Sequence, residues 1–173
     1  MDTNTFNNLI SQTWPDLHVA STLGGGTFGT VYACTKTDAV TGVTQKEAVK
    51  VVRVDFTPED RANAEEEGIP FADYYRAVKE KRLQEIRWMV ALKSPHIVHI
   101  NGYTAIEEPD HSALYILIRM DRLTALDQLR PAHLYDTPEQ AAALAEKVAL
   151  DICDALRVCH QNGVLHRDIK PAN

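Results

Sequence analysis

Leu23-Gly24-Gly25-Gly26-Thr27-Phe28-Gly29-Thr30-Val31 reads G-x-G-x-x-G-x-V, and the residues on either side of it decide the fold. Glycines let a turn take positive φ and let backbone N–H groups approach phosphate oxygens with no Cβ in the way. In a dinucleotide-binding α/β domain the last glycine opens a helix. Here Gly29 runs into TVYACTKT, which is β-branched and aromatic strand chemistry, and HVASTL before the glycines is strand-like too. The dinucleotide reading is therefore disfavoured. A hairpin turn remains, either a plain flexible one or a phosphate-covering one, and the glycines alone do not decide between them.

Outward from this hairpin, a loop at Asp38 to Gln45 containing Thr41-Gly42 leads into EAVKVVRV, a third antiparallel strand. The acidic TPEDRANAEEEG (57–68) reads as a surface helix or ordered insertion that ends at Gly68. A long helix is expected from about Asp73 to Lys93, then two strands, IVHINGYTAI and ALYILIRM, around an EEPDHS turn. After Met120 the character changes. TALDQL is a short helix, and Thr137-Pro138-Glu139 opens a long one as N-cap, first-turn proline and first-turn acid. Leu144, Val148, Ile152, Leu156 and Cys159 recur along it at near-helical spacing until Asn162-Gly163. The expected class is α+β. Its lobes are a five-stranded antiparallel lobe with one long helix (17–120), a hinge (121–124) and the first helices of a second lobe (125–173). Residues 1–16, polar with scattered Phe6, Leu9, Ile10 and Trp14, are set apart as an N-terminal extension, with a short helix before Pro15.

The composition is that of a soluble globular chain, 45% hydrophobic and 24% charged. Lys plus Arg total 18 against 24 Asp plus Glu, a net charge of −6, which argues against a broad nucleic-acid-binding face. MDTNTFNNLI lacks the cationic start and apolar core of a signal peptide, and the longest aliphatic run, LYILI, is too short to span a bilayer. Three cysteines, Cys34, Cys153 and Cys159, make neither an even framework nor a C-x-x-C pair, so reduced thiols in a cytoplasmic protein are expected.

Two charges stand out in apolar settings. In Ala48-Val49-Lys50-Val51-Val52 the strand period puts Ala48, Lys50 and Val52 on one face. On the long helix Val78, Arg82, Glu85 and Met89 share a stripe, so Glu85 is expected to face inward, where a carboxylate is costly without a cation. Each charge alone reads as solvated. Together, behind a glycine turn, they predict a Lys50–Glu85 ion pair.

His166-Arg167-Asp168-Ile169-Lys170-Pro171-Ala172-Asn173 fits H-R-D-x-K-x-x-N, in the right order after Gly26, Lys50 and Glu85. From about residue 17 to 173 the chain resembles the front part of a eukaryotic-like protein kinase domain. The resemblance implies ATP and Mg2+ as ligands and a protein substrate phosphorylated on Ser or Thr hydroxyls. Leu23, Gly24, Gly25, Gly26, Thr27, Phe28 and Gly29 would cover the ATP phosphates, and Lys50, paired to Glu85, would hold the α- and β-phosphates. Val31 and Ala48 would sandwich adenine. Met120 would stand at the back of the pocket, or Ile118, which shares its face, and the backbone of Asp121 to Leu123 would bind adenine. Asp168 would orient the attacking hydroxyl, Lys170 would neutralise the transferring phosphoryl, and Asn173 would ligate magnesium. D-I-K-P-A-N is similar to serine/threonine rather than tyrosine kinases.

Some features depart from the family pattern. The stretch between Lys50 and Glu85 is longer than most kinases use, and the acidic 57–68 segment accounts for the excess. That insertion and RMDRLTALDQL at the hinge resemble bacterial kinase-like proteins. Asp121 stands where Glu is commoner. The sequence carries no D-F-G, the motif whose Asp ligates magnesium in the family, so an incomplete piece with negligible phosphate transfer by itself is expected. Its last-helix stripe is expected to stay partly exposed. The alternative reading is a non-catalytic nucleotide-binding or docking module.

The remaining candidates read as structural. His96 and His99, three apart on an expected strand, point to opposite faces and disfavour a shared metal. Cys153 and Cys159 are expected to pack in the last helix, and Glu65-Glu66-Glu67 to form a solvated face.

Overall fold

The computed structural model describes residues 3–26, 29–124, 137–167 and 169. Its elements run α1 (Thr3–Thr13), β1 (His18–Gly26), β2 (Gly29–Thr37), β3 (Thr44–Asp55), α2 (Pro58–Glu66), α3 (Phe71–Ala91), β4 (Ile100–Glu107), β5 (Ala113–Asp121) and α4 (Pro138–Gln161). The chain divides into two compact units, one over Met1–Arg87 and Ile100–Arg122, the other over Trp88–His99 and Leu123–Asn173.

The first unit is built on a sheet of order β1-β2-β3-β5-β4, antiparallel throughout. The five-stranded antiparallel lobe expected from the runs of β-branched and aromatic residues is the one observed. Side chains alternate across a pleated strand, so directly paired residues share a face. Tyr32 pairs with Val49, Val51 with Leu117, and Ile106 with Tyr115; this face is the hydrophobic core. Val31, Lys50 and Ile118 pair in a row on the other face, beside Ala33, Ala48 and Met120.

Residues 3–17 are part of that core rather than an appendage to it. Ile10 is 0% exposed and Leu17 1%, among Tyr32, Cys34, Val49, Val51, Tyr115 and Leu117, with Phe6, Leu9 and Trp14 against them. The Phe6 ring sits 6.3 Å from Tyr32 and 6.2 Å from Tyr115. Burying a side chain such as Ile10 or Leu17 contributes about 1.5–3 kcal/mol, so α1 supplies real stability to the sheet it covers.

The insertion forms a separate helix. Thr57 caps α2: its hydroxyl accepts from Asp60 N at 3.2 Å while the Asp60 carboxylate accepts from Thr57 N at 2.7 Å. Gly68, at φ 72°, ends it as expected. Arg61 then ties α2 to the β4–β5 turn, donating to the Asp110 carbonyl at 2.9 Å while lying 3.9 Å from the Phe71 ring centroid. Behind it Phe56, Phe71, Tyr74, Tyr75 and His111 stack at 4.4–6.4 Å.

β4 starts at Ile100, three residues later than the sequence suggests, because Ile97 N turns back to the Ser94 carbonyl at 3.3 Å. His96 and His99 therefore precede the strand, and the face argument does not apply to them. His96 Nδ1 lies 3.6 Å from Asp151 Oδ1, and no metal-holding cluster exists among the described residues. In the second unit α4 opens on Thr137, whose hydroxyl accepts from Gln140 N at 3.3 Å, and ends at Gly163, φ 72°. Cys159 packs, but Cys153 is exposed, contrary to expectation: it lies off the Leu144–Val148–Ile152–Leu156 stripe, of which Ile152 is itself exposed. The short TALDQL helix falls, apart from Thr124, outside the described residues. Among those described, no helix is long and apolar enough to cross a membrane.

Candidate functional site

The chemistry starts from the sheet face away from α1. Val31, Ala48, Lys50, Ile118 and Met120 lie there as cross-strand neighbours, with Ala48 4% and Ile118 5% exposed and Val31, Lys50 and Met120 half-buried. A cation is thus set among apolar side chains. Lys50 has no ion-pair partner among the described residues. Asp121 ends β5, its carboxylate accepting from Asn101 Nδ2 at 3.0 Å, and Leu123 beyond it is exposed.

Beside this face the glycines end β1 and begin β2. Gly26 pairs with Gly29, Gly25 with Thr30 and Gly24 with Val31. They are not equivalent. Gly29 has φ 110°, and a Cβ there would lie 2.4 Å from the Val51 carbonyl oxygen, so the fold itself demands glycine. Among the described residues, a Cβ at Gly24 or Gly26 would meet nothing within 4 Å. Packing among the described residues does not require glycine at those two positions, and the open space suits an approaching ligand. Thr27 and Phe28 lie outside the described residues.

Glu85 stands differently from expectation. The buried stripe of α3 is Tyr75 and Ile86 with Lys79 between them, not Val78–Arg82–Glu85–Met89. The apolar bulk of Tyr75 and Ile86 wins the inward face, and Lys79 is drawn to it by an ion pair with Glu107 on β4. Glu85 is left on the flank, its side chain 43% exposed, with Arg82 Nη1 at 3.3 Å. The expected Lys50–Glu85 ion pair is not among the ion pairs of the described residues. Within α3, Arg87 pairs with Glu80 and donates to the Gln84 side-chain oxygen at 3.3 Å.

Electrostatics follow the same geometry. Glu107 is held below the usual carboxylate range, first by the hydrogen bond from Lys79. Burial, helped by the Glu107 charge, pushes the Tyr75 phenol up to about 12. On the α1 face burial raises the Cys34 thiol to about 11, which makes it inert at neutral pH.

Of the terminal string, Asp168, Lys170 and Asn173 lie outside the described residues. His166, Arg167 and Ile169 are described, and Arg167 has φ 62°, a conformation that non-glycine residues rarely take and that recurs at functional sites. Sequence reasoning missed Arg119 and Glu47, which form a buried ion pair directly behind Ala48 and Met120. A charged residue on each of two apolar strands was the only available signal, and pairing them required the register.

Comparison with known proteins agrees with this geometry. Residues 17–173 match the family described as protein kinase domain. The serine/threonine-protein kinase drp72 of Corynebacterium efficiens is 29% identical over 178 residues, covering 99% of this chain and 29% of that protein. The serine/threonine-protein kinase PknH of Mycobacterium tuberculosis is 27% identical over 156 residues, 90% of this chain and 20% of that protein. Aurora kinase B of Drosophila melanogaster is 33% identical over 96 residues, 56% of this chain and 27% of that protein. The chain thus spans under a third of the length of these relatives. With its antiparallel sheet, glycine hairpin and Lys50 strand in place, this chain belongs to the protein kinase domain family.

Proposed function

We propose that this chain forms the ATP-binding part of a protein serine/threonine kinase, which transfers the γ-phosphoryl of ATP to Ser or Thr hydroxyls of a protein. The observation that carries the reading is the half-buried Lys50 on one face with Val31, Ala48, Ile118 and Met120, beside glycines at 24 and 26 that packing does not require. The apolar residues suit the adenine ring, and the backbone of Asp121 to Leu123 supplies its hydrogen bonds. Leu23 to Gly29 bring N–H groups to the phosphates, and Lys50 supplies the counter-charge to the α- and β-phosphates. Lysine, a compact point charge, suits that task.

The donor set of the terminal string fits a magnesium ion and a hydroxyl acceptor. Asn173 offers a hard oxygen to Mg2+, which when bound neutralises phosphate charge. Asp168 accepts the hydroxyl proton and orients its oxygen, and Lys170 places a further positive charge beside the transferring group. Glu85 would hold Lys50 in position only by exchanging Arg82, its partner in the structure, for that lysine.

The place of Glu85 beside Arg82 favours a second reading, a nucleotide-binding or docking module that does not catalyse. One experiment separates them. Mg·ATP binding is titrated on the purified chain, and transfer of labelled phosphate to a Ser/Thr protein is followed with the chain joined to the D-F-G-containing remainder of a kinase domain, each in wild type, Lys50→Met and Asp168→Asn. Saturable binding weakened at least tenfold by Lys50→Met, with transfer abolished by Asp168→Asn, is expected of the kinase. Binding with no transfer supports the module, and no saturable binding sinks both.

A further inference from the structure

The sheet face away from Lys50 carries a charged cluster in a place where aliphatic packing would serve stability equally well. Glu47 is the buried charged residue of the described set, 6% exposed. Its carboxylate accepts from Arg119 Nε and from Arg119 Nη2, the latter at 2.9 Å, a bidentate pair across β3 and β5. Arg119 Nη2 also lies 3.4 Å from Asp16 Oδ2, which Lys36 Nζ approaches at 3.0 Å. The guanidinium is 6.0 Å from the centroid of the Trp14 ring. Desolvating an ion pair offsets most of its attraction, so such a pair adds less stability than geometric definition.

The register shows which geometry is defined. Glu47 immediately precedes Ala48, and Arg119 immediately precedes Met120; Ala48 and Met120 are paired, and Glu47 is paired with Asp121. The bidentate bond therefore crosses the two strands one residue behind the surface on which Ala48 and Met120 stand, at the end where β5 leaves the sheet. Asp16 and Trp14, from the turn after α1, clamp the same guanidinium from outside the sheet.

We propose that Arg119, held by Glu47 and Asp16, is a positioning residue for adenine recognition: it fixes the spacing of β3 and β5 at Ala48 and Met120 and the direction in which the backbone of Asp121 leaves the sheet. The proposal rests on the nucleotide-site reading above. It assigns no such role in holding phosphate, because Lys50 and the glycines lie further along β3 and on β1–β2. The cluster is therefore a determinant of base affinity alone, and it makes the segment before residue 17 a working part of the site.

The test measures adenosine and inorganic tripolyphosphate separately, each by displacement of a fluorescent ATP analogue from the full chain, well below its melting temperature. Arg119→Met and Glu47→Gln are expected to weaken adenosine at least tenfold while tripolyphosphate changes less than twofold. Arg119→Lys, which keeps the charge and loses the planar fork, is expected to fall between. Should Arg119→Met fail to fold, Asp16→Asn serves, since that carboxylate is 41% exposed; a two- to threefold loss confined to adenosine is expected. Equal loss of both ligands, or adenosine affinity unchanged in every variant, overturns the proposal. Failure of the underlying reading looks different: the wild-type chain then displaces the analogue with neither ligand, and both ideas go.

Discussion

Replacing the glycines one at a time should separate those the fold needs from those a ligand needs. At Gly29 the backbone has φ 110°, and an alanine Cβ would sit 2.4 Å from the Val51 carbonyl oxygen, 3.1 Å from its carbon and 3.3 Å from Val52 Cα. Holding a non-glycine residue in such a conformation costs about 1–3 kcal/mol. Backbone cannot swing aside as a side-chain tip can, so β2 must also lift off β3 near the Thr30–Val51 pair, at about 1 kcal/mol for a weakened ladder bond. Gly29→Ala should therefore destabilise by about 2–4 kcal/mol, lowering the urea midpoint by roughly 1–2 M at a slope of about 2 kcal/mol/M. Gly24→Ala and Gly26→Ala face open space in ordinary backbone conformations. They should leave the midpoint unchanged or raise stability by about 0.4–1 kcal/mol, because alanine narrows the unfolded ensemble. Those two should lose Mg·ATP affinity instead. If Gly24→Ala destabilised as much as Gly29→Ala, or Gly29→Ala melted with the wild type, the close-approach reasoning would be wrong.

Ile10→Ala should cost about 2–5 kcal/mol despite lying before the family match, as read by chemical denaturation; a cost below about 1 kcal/mol would show α1 to be a loose appendage. Glu107 has a folded pKa below its ordinary 4.5, so its contribution is fully present above pH 4.5 and lost as pH falls through the folded value. Urea midpoints of wild type and Glu107→Gln should therefore converge as the pH falls below 4.5 and separate above it; a constant gap would exclude the linkage. Thiol labelling at pH 8 should find Cys153 reacting fast and Cys34 only on unfolding, since Cys34 is buried and raised to about 11. Rapid modification of Cys34 in the native chain would contradict the packing under α1.

Much of this architecture was legible because period and punctuation agree. β-Branched, aromatic and aliphatic runs in TVYACTKT, EAVKVVRV and ALYILIRM set three strands, and Gly68 and Gly163 stopped helices where positive φ was needed. The face shared by Ala48, Lys50 and Met120 follows from the strand period once the register is known. The neighbour of Glu85 was not legible. On α3 charged and apolar residues are interleaved, and which stripe turned inward depended on Phe56, His111 and Glu107 from distant segments. The role of residues 3–17 was hidden for a similar reason: four scattered apolar residues become a continuous cover only against a sheet that sets Tyr32, Val49 and Tyr115 on one face.

A longer link between a strand and the helix after it normally adds slack, since chain entropy grows with the length of a free connection. The acidic insertion does the reverse. Arg61 fastens it to the carbonyl of Asp110 and to the ring of Phe71 at once, while Thr57 and Asp60 lock its start. Sliding α3 along its axis would thus have to drag the tip of a hairpin with it or unfasten an arginine. The extra residues act as a brace, and they raise the stiffness of the very element on which Glu85 rides.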